Sequence, residues 1–429
     1  EGVWLNVSGQ KILDMTGGLG VLNHGHNNPK ILEVRNRYQQ LQLMEPHKNH
    51  FCQFGAALAK NLDAITPDPL KISFFCNSGA EAVDGAIKLA FKSFGGSRNT
   101  ILHSDRSFHG KTIGAGSISY SDSFFDKATL NSAFPEIQGK QTYKFNDLDS
   151  ITKVVDESRL ADGVSDVYAI FVEPFSASTV TQTDGKFLEG VRALCDRENI
   201  VLVFDEIYTG FAKTGPMFNF MRSSAVPDVL TVSKSLGGGK ASISAYVTTK
   251  KLFLQSYGEI SSALMHSTTY NGFGEECATA VEAINICVND KYDEKSAVIG
   301  QHIKNRLAAL AEKNASLIKE WRGSGALFGI VFKPQIKSLK VFEPVLPRKY
   351  RGDKYFFEKL FVGALVDYLY RQHRCLTYLT QNQEVVLYVA PALVTEEQEI
   401  DYFFDCLEKT LELSPYSLVA KFVKNRFIG

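Results

Sequence analysis

The chain has 429 residues, with 47 lysines and arginines balanced by 47 aspartates and glutamates, and this length allows roughly two to four domains or one large α/β unit. Zero net charge argues against a nucleic-acid binder, which needs a basic surface, and 44% hydrophobic with 22% charged residues is typical of a soluble globular protein. The longest apolar run, residues 385–394, is too short for a membrane helix of about 20 residues, so we expect neither a nucleic-acid nor a membrane partner.

The first half of the chain alternates short apolar runs with helical patterns. Residues 2–5 predict a strand, and because the chain begins at Glu1 rather than Met we expect further residues upstream, an arm or a whole domain. Buried strands are predicted at 72–76, 167–172, 200–204 and 229–232, and a helix at 81–92. Continuous apolar strands that alternate with helices indicate a mostly parallel sheet with both faces covered.

The second half has a pattern typical of a smaller α+β domain. It predicts, in order, a helical stretch from Ala278 to about Lys319, one glycine-containing strand over 321–332, a helix over 356–373, a strand over 385–389 and a final helix from Glu396. Residues 333–355 are rich in lysine, proline and arginine and predict a surface loop.

The seven cysteines are scattered, and none forms a C-x-x-C pair. An odd number of thiols in a chain of this size indicates free cysteines in a reducing compartment, so we expect a cytoplasmic protein. No histidine or cysteine group has the spacing of a zinc site, and no metal is expected. Gly110-Lys111-Thr112 resembles the end of a phosphate-binding Walker A loop, but Asp105 stands where that loop needs glycine.

Three predicted strands end in ionisable residues, namely Glu173, Asp205 and Lys234. In an open α/β sheet, ligands bind at the carboxyl ends of the strands. A single polar residue there is ordinary, since loops often begin with one, but three in one sheet predict a site.

Lys234 directly follows an apolar strand and precedes three glycines, 237–239. A lysine in a desolvated site has a lowered pKa and can form a Schiff base with an aldehyde. The alternative is a surface lysine beside a flexible loop.

Two further motifs offer ligand contacts. The turn 77–82 joins a strand to a helix, whose N-terminus can bind phosphate, although Ser78 and Glu81 are also explained as a simple capping box. Phe108 and His109, in the motif 108–110, could place an aromatic ring on a planar cofactor, and the alternative is a core Phe beside a solvated His.

These motifs recur in one family in this order. They are 17–21, 25–29, 77–82, 108–110, 173–174, 205–211, 213–215, 227–228, 234–239 and 266–270. Together they resemble the class III (ω-amino-acid type) pyridoxal-phosphate-dependent aminotransferases of fold type I. The resemblance implies a large domain with a mostly parallel seven-stranded sheet and a smaller α+β domain. It divides the chain into 1–50 (N-terminal segment of the small domain), 51–285 (large cofactor-binding domain) and 286–429 (C-terminal small domain).

The resemblance also implies roles for single residues. Lys234 would hold pyridoxal 5'-phosphate as a Schiff base and then move a proton, and Asp205 would pair with the ring nitrogen. Phe108 and Ile207 would cover the two ring faces. The remaining implied contacts are Ser78, Gly79 and Ala80 to the phosphate, His109 to the cofactor, Glu173 near the reacting end of the substrate, and Thr269 to the phosphate of the neighbouring subunit. A homodimer is therefore implied.

Three departures concern the substrate pocket. Tyr208 stands where the family often has Gln, and Phe175 replaces a polar residue after Glu173. Tyr388 stands where many members carry an arginine for an α-carboxylate, and a phenol cannot make that bidentate pair. We therefore expect a substrate with an apolar reacting end, such as an aldehyde, ketone or amine.

The expected function is transfer of an amino group from a donor amine or amino acid to an aldehyde or ketone in a biosynthetic pathway, in an aminotransferase domain of a larger enzyme. One alternative is another reaction of the same cofactor, by an aminomutase or a decarboxylase. The other is a non-catalytic dimer that keeps the fold for binding.

Overall fold

The protein is described by a computed structural model. It covers residues 2–45, 50–119, 136–262, 264–333, 355–380 and 384–427, so the predicted loop over 333–355 lies outside the described residues except at its two ends.

The strands are β1 Trp4–Val7, β2 Gln10–Asp14, β3 Leu70–Cys76, β4 Thr100–Ser104, β5 Lys140–Tyr143, β6 Val167–Val172, β7 Phe175–Ser176, β8 Thr181–Gln182, β9 Val201–Asp205, β10 Val229–Val232, β11 Ser244–Thr249, β12 Ile318–Ser324, β13 Leu327–Phe332, β14 Cys375–Leu376, β15 Leu379–Thr380 and β16 Val386–Val389. The helices are α1 Gly17–Gly20 (an irregular turn), α2 Pro29–Gln40, α3 Gln53–Ile65, α4 Gly79–Ser93, α5 Ile113–Ser117, α6 Leu148–Glu157, α7 Gly185–Glu198, α8 Lys250–Tyr257, α9 Gly274–Asn289, α10 Tyr292–Lys313, α11 Phe356–His373, α12 Glu397–Leu411 and α13 Pro415–Phe427.

A seven-stranded sheet in the order β3-β11-β10-β9-β6-β4-β5 forms the centre of the larger layer. Its strands run parallel except β11, which is antiparallel to both neighbours. Every residue of β6, β9 and β10 is buried, as expected of strands covered by helices on both faces. The predicted mostly parallel α/β sheet is therefore confirmed.

The register of the sheet decides where the polar strand ends lie. Thr231 of β10 pairs with Asp205 of β9, and Val172 of β6 pairs with Phe204. Because these strands are parallel, the residues that follow them leave the sheet at the same edge. Glu173, Asp205 and Lys234 therefore meet at one end of the sheet, where β6, β9 and β10 finish.

The smaller layer contains two sheets. One has the order β12-β13-β16-β15, and the other joins the N-terminal strands β1 and β2 to β14 from the C-terminal part. This pairing brings the first residues of the chain to the C-terminal region, in keeping with the predicted division at 1–50, 51–285 and 286–429, which stays a prediction.

Two element predictions in this region are wrong. The single strand expected over 321–332 is an antiparallel hairpin of β12 and β13, because the chain turns back between Ser324 and Leu327. The helical stretch expected to about Lys319 ends at Lys313 and is broken near Lys291, whose φ of 51° is left-handed and cannot continue a helix. Within the described residues, no helix is long and apolar enough to cross a membrane.

Candidate active site

Asp205 and His109 form a buried pair at the edge of the sheet. His109 Nδ1 lies 2.7 Å from Asp205 Oδ2, and the backbone N–H of Ile207 donates to Asp205 Oδ1 at 2.9 Å. Burial lowers the pKa of His109, but the hydrogen bond and charge of Asp205 outweigh it and raise that pKa above its ordinary value. The Asp205 carboxylate is therefore fixed in place and still has lone pairs for another donor.

Lys234 follows β10 in a strained conformation, with a left-handed φ of 47°. Burial lowers the pKa of Lys234 to about 8, although the charges of Asp205 and Glu173 partly oppose this. Its Nζ lies 3.9 Å from the centre of the Tyr208 ring, and it makes no hydrogen bond or ion pair within the described part of the chain. An amine of this kind is partly neutral near neutral pH and is ready to act as a nucleophile or base.

Glu173 is used mainly to hold the backbone. Its Oε2 accepts from the N–H of Phe108 at 3.0 Å, and its Oε1 accepts from the N–H of Ala177 at 3.4 Å. Burial raises the pKa of Glu173 to about 7, and the negative charge of Asp205 adds to this while His109 opposes it. The carboxyl thus anchors the turn that carries the Phe108 ring.

The turn before α4 forms a cradle for an anion. Ser78 caps the helix through the N–H of Glu81, and the Glu81 carboxylate accepts from the N–H groups of Asn77 and Ser78. Within the described residues, this leaves the N–H groups of Gly79 and Ala80 without an acceptor, at the positive end of a 15-residue helix. Ser78 itself is committed to the cap.

Of the two residues predicted to cover a planar ring, Ile207 lies beside this cradle and Phe108 is partly exposed. Phe108 keeps 46% of its surface exposed, so its ring is open to a ligand. Ile207 packs against Gly79, where an added Cβ would lie only 3.0 Å from the Ile207 side chain. The absence of a side chain at residue 79 therefore lets Ile207 reach the cradle.

A group of three tyrosines, Tyr208, Tyr378 and Tyr388, borders the lysine. The hydroxyls of Tyr208 and Tyr378 are 3.0 Å apart, and the rings of Tyr378 and Tyr388 are 4.4 Å apart between centres. Phe175 and Tyr388 belong to the same small apolar cluster, and each is 1% exposed. Sequence reasoning missed Tyr378, because its position depends on the pairing of β15 with β16, which no local pattern reveals.

Lys213 is a second buried lysine. It was not among the site residues predicted from the sequence, although it lies in the motif 213–215. Its Nζ donates to the carbonyls of Ala390 and Pro391 at 3.1 and 2.7 Å, which connects the turn after β9 to the end of β16. Burial lowers the pKa of Lys213 to about 7. The contacts make it a structural link beside the site.

Thr269 lies in an exposed turn next to the cradle. The hydroxyl of its neighbour Thr268 lies 3.5 Å from Asn77 Oδ1, and the Asn77 side chain donates to the carbonyl of Tyr270 at 3.3 Å. Lys88 also holds this turn through the carbonyl of Met265. A role for Thr269 in a neighbouring subunit stays a prediction.

The residues at this edge fit pyridoxal 5'-phosphate. A covalent partner suits a lysine amine that has no hydrogen bond among the described residues. A ring nitrogen suits the spare lone pairs of Asp205, and a phosphate suits the N–H groups of Gly79 and Ala80. Ile207 packs beside the cradle, and the covering of the ring by Phe108 and Ile207 stays a prediction.

The sequence model of the aminotransferase class-III family matches residues 1–411 of this chain.

Three solved structures with the same fold are transaminases. An ornithine aminotransferase from Toxoplasma gondii, with partial occupancy of pyridoxal phosphate at its active site, has 21% sequence identity and a TM-score of 0.80 over 97% of this chain and 89% of its own. A transaminase from the marine bacterium Virgibacillus has 19% identity and a TM-score of 0.82 over 98% of this chain and 92% of its own. An omega transaminase engineered for the synthesis of bulky amines has 20% identity and a TM-score of 0.81 over 98% of this chain and 93% of its own.

Proposed function

This chain belongs to the class-III aminotransferases, and from that premise we propose that it moves an amino group from a donor amine or amino acid to an aldehyde or ketone without an α-carboxylate at the reacting end. The protein is a pyridoxal-phosphate-dependent transaminase. The observation that supports the site assignment is that Lys234, Asp205 and the start of α4 converge at one edge of the sheet.

The bound cofactor supplies an aldehyde that combines with amines and a conjugated ring that takes up the electron pair released at the substrate carbon. Lys234 Nζ would hold the cofactor and, once free, move the proton at the substrate carbon. Because its pKa is lowered to about 8, the amine is neutral often enough near neutral pH to accept that proton.

Asp205 would hold the proton on the ring nitrogen. Its carboxylate is fixed by His109 and by the N–H of Ile207, so it need not reorganise when charge develops. Glu173 would orient Phe108 by accepting the backbone N–H of Phe108, rather than touch the substrate. This refines the expectation that Glu173 lies near the reacting end of the substrate.

The pocket residues support a substrate without an α-carboxylate. Tyr388 is buried and neutral, because burial raises its phenol pKa far above the ordinary value. The guanidinium of Arg322, whose charge reaches Tyr388, is already engaged by the carbonyl of Thr179 and by Glu320 and Glu384. A carboxylate placed against Tyr388 would lose its hydration without gaining a charged partner.

The substrate claim is tested with matched acceptors. We expect an aldehyde to have a kcat/KM at least about tenfold higher than that of the α-keto acid of equal chain length, and Tyr388→Arg to reverse this preference. The conversion of a standard amine donor, measured by mass spectrometry at increasing acceptor concentrations, gives kcat/KM for each of the two acceptors. A wild-type preference for the keto acid would refute the proposal.

We further propose a homodimer in which Thr269 of each subunit contacts the cofactor phosphate of the other, as the family resemblance implies. Its exposed position beside the cradle supports this, because a partner could reach it. The seven free thiols support a reducing compartment such as the cytoplasm.

A further inference from the structure

The Lys234 amine rests on an aromatic face. Its Nζ is 3.9 Å from the Tyr208 ring centre, well inside the distance at which an ammonium is attracted to a ring. The ionisable groups that act on the amine are Asp205, Glu173 and Lys213. The two carboxylates favour the charged form of Lys234, and Lys213 is a second cation that repels it. None of them forms a hydrogen bond or ion pair with Nζ.

The Tyr208 ring is held firmly. Its hydroxyl is 3.0 Å from that of Tyr378, and Tyr378 in turn packs on Tyr388. The ring also packs closely against Gly20, where an added Cβ would lie 3.1 Å from two ring carbons. The Tyr208 ring is therefore held through its hydroxyl and by its packing on Gly20, and the Lys234 amine lies over it.

We propose that Tyr208 is a positioning residue that receives the Lys234 ammonium over its ring whenever the lysine is not covalently engaged, and that Tyr378 sets the angle of this ring. The proposal rests on the proposed function, since it requires Lys234 to be the residue that alternates between bound and free forms. It gives Tyr208 and Tyr378 a task in the lysine cycle separate from substrate selection.

The chemistry of a ring face suits this task. A carboxylate in hydrogen-bond contact would hold the proton on the lysine, whereas an aromatic face attracts the ammonium more weakly and has no carboxylate oxygen to accept its N–H. The amine thus stays within reach and can lose its proton again. An amide at residue 208, which the family often has, would offer no such face.

The test measures the pKa of Lys234 in the cofactor-free full chain. Competitive labelling with trace acetic anhydride from about pH 6 to about pH 10, followed by mass spectrometry of the peptide that contains Lys234, reports how its neutral fraction varies. Tyr208→Leu removes the ring, Tyr208→Phe keeps the ring but not the hydroxyl, and Tyr378→Phe removes the support. Tyr292→Phe, which alters a buried phenol packed on His24, is the control.

Loss of the ring destabilises the ammonium, so Tyr208→Leu should lower the pKa of Lys234 by about half to one and a half pH units. Tyr208→Phe and Tyr378→Phe should lower it less, by similar amounts that do not add in the double variant. Tyr292→Phe should leave it unchanged. In the holoenzyme, the acidic limb of the pH–rate profile of the donor half-reaction should also shift to lower pH. The shift should be largest in Tyr208→Leu, smaller in the two Phe variants and absent in Tyr292→Phe.

An unchanged pKa in a folded Tyr208→Leu chain would overturn the proposal. So would a shift in Tyr208→Phe as large as that in Tyr208→Leu, since the hydroxyl and not the ring would then be responsible. Failure of the proposed function is separate: it would appear as no covalent cofactor on Lys234 in the wild-type holoenzyme, whatever the pKa values of the variants.

Discussion

Charge placement decides the chemistry at the level of single residues. Asp205 is a buried carboxylate whose two oxygens are each fixed by one donor from the chain. Its remaining lone pairs can accept from a further donor, and no donor among the described residues occupies them. A cationic ring nitrogen would meet that need, and His109 keeps the carboxylate from turning away.

Replacing Asp205 with alanine should therefore raise the activation barrier by about 3–4 kcal/mol, the usual loss for one preorganised electrostatic contact. The measurement is the single-turnover rate of the donor half-reaction, with His109→Gln as a comparison that should cost less because the carboxylate stays. If Asp205→Ala decreases the rate by less than tenfold, this carboxylate does not hold the ring nitrogen.

Glu173 makes a pH-dependent contribution to stability. Its pKa rises from 4.5 to about 7 on folding, so the favourable contribution is complete below about pH 4.5 and is lost as the pH rises through 7. Between about pH 5 and pH 8, the free energy of unfolding should decrease less in Glu173→Gln than in the wild type. The two decreases should differ by up to about 3 kcal/mol. Urea unfolding of both cofactor-free proteins across this range provides the comparison, and identical slopes would contradict the assigned burial of this carboxyl.

Among the elements, α4 has the clearest local explanation. Ser78 caps its first turn and Glu81 returns two backbone contacts, so the helix start is fixed before any ligand arrives. Ser78→Ala should lower the free energy of unfolding by about 1 kcal/mol, whereas Ser97→Ala, beyond the other end of the helix, should change it little. Urea unfolding gives both values; equal effects would show that the cap does not stabilise this helix.

Local patterns predicted elements well where neighbours along the chain decide the structure. The strands 167–172 and 229–232 and the helix 356–373 have the predicted bounds, because unbroken apolar runs and helical periodicity leave little choice. The β12–β13 hairpin was predicted as one strand, although Ser324-Gly325 at its turn is a local turn signal. The strand β11 was not predicted, because its place between β3 and β10 depends on contacts distant in sequence.

The candidate site shows the same division. Residues at or just beyond the ends of apolar strands, such as Asp205 and Lys234, could be identified from the sequence because parallel strands bring their carboxyl ends together. Tyr378 and the link from Lys213 to Pro391 could not, because each joins segments more than 160 residues apart. Long-range pairing of this kind leaves no periodicity to read.

For the whole molecule, the main question is whether the site is completed by a second subunit. Mixed dimers of Lys234→Ala and Thr269→Ala chains answer it. If Thr269 acts across the interface, one site of each mixed dimer regains both residues, and activity should return to about half of the wild-type value per dimer. If Thr269 acts within its own chain, the mixture should be no more active than the two variants separately. Each variant alone, refolded in the same way, is the control.

Covalent attachment at residue 234 underlies every role proposed above. Borohydride reduction of the holoenzyme, followed by proteolysis and mass spectrometry, measures it directly. We predict a pyridoxyl phosphate adduct on Lys234 and its loss in Lys234→Ala, with Lys213 unmodified in both. An adduct on another lysine, or none on the wild-type holoenzyme, would contradict the account.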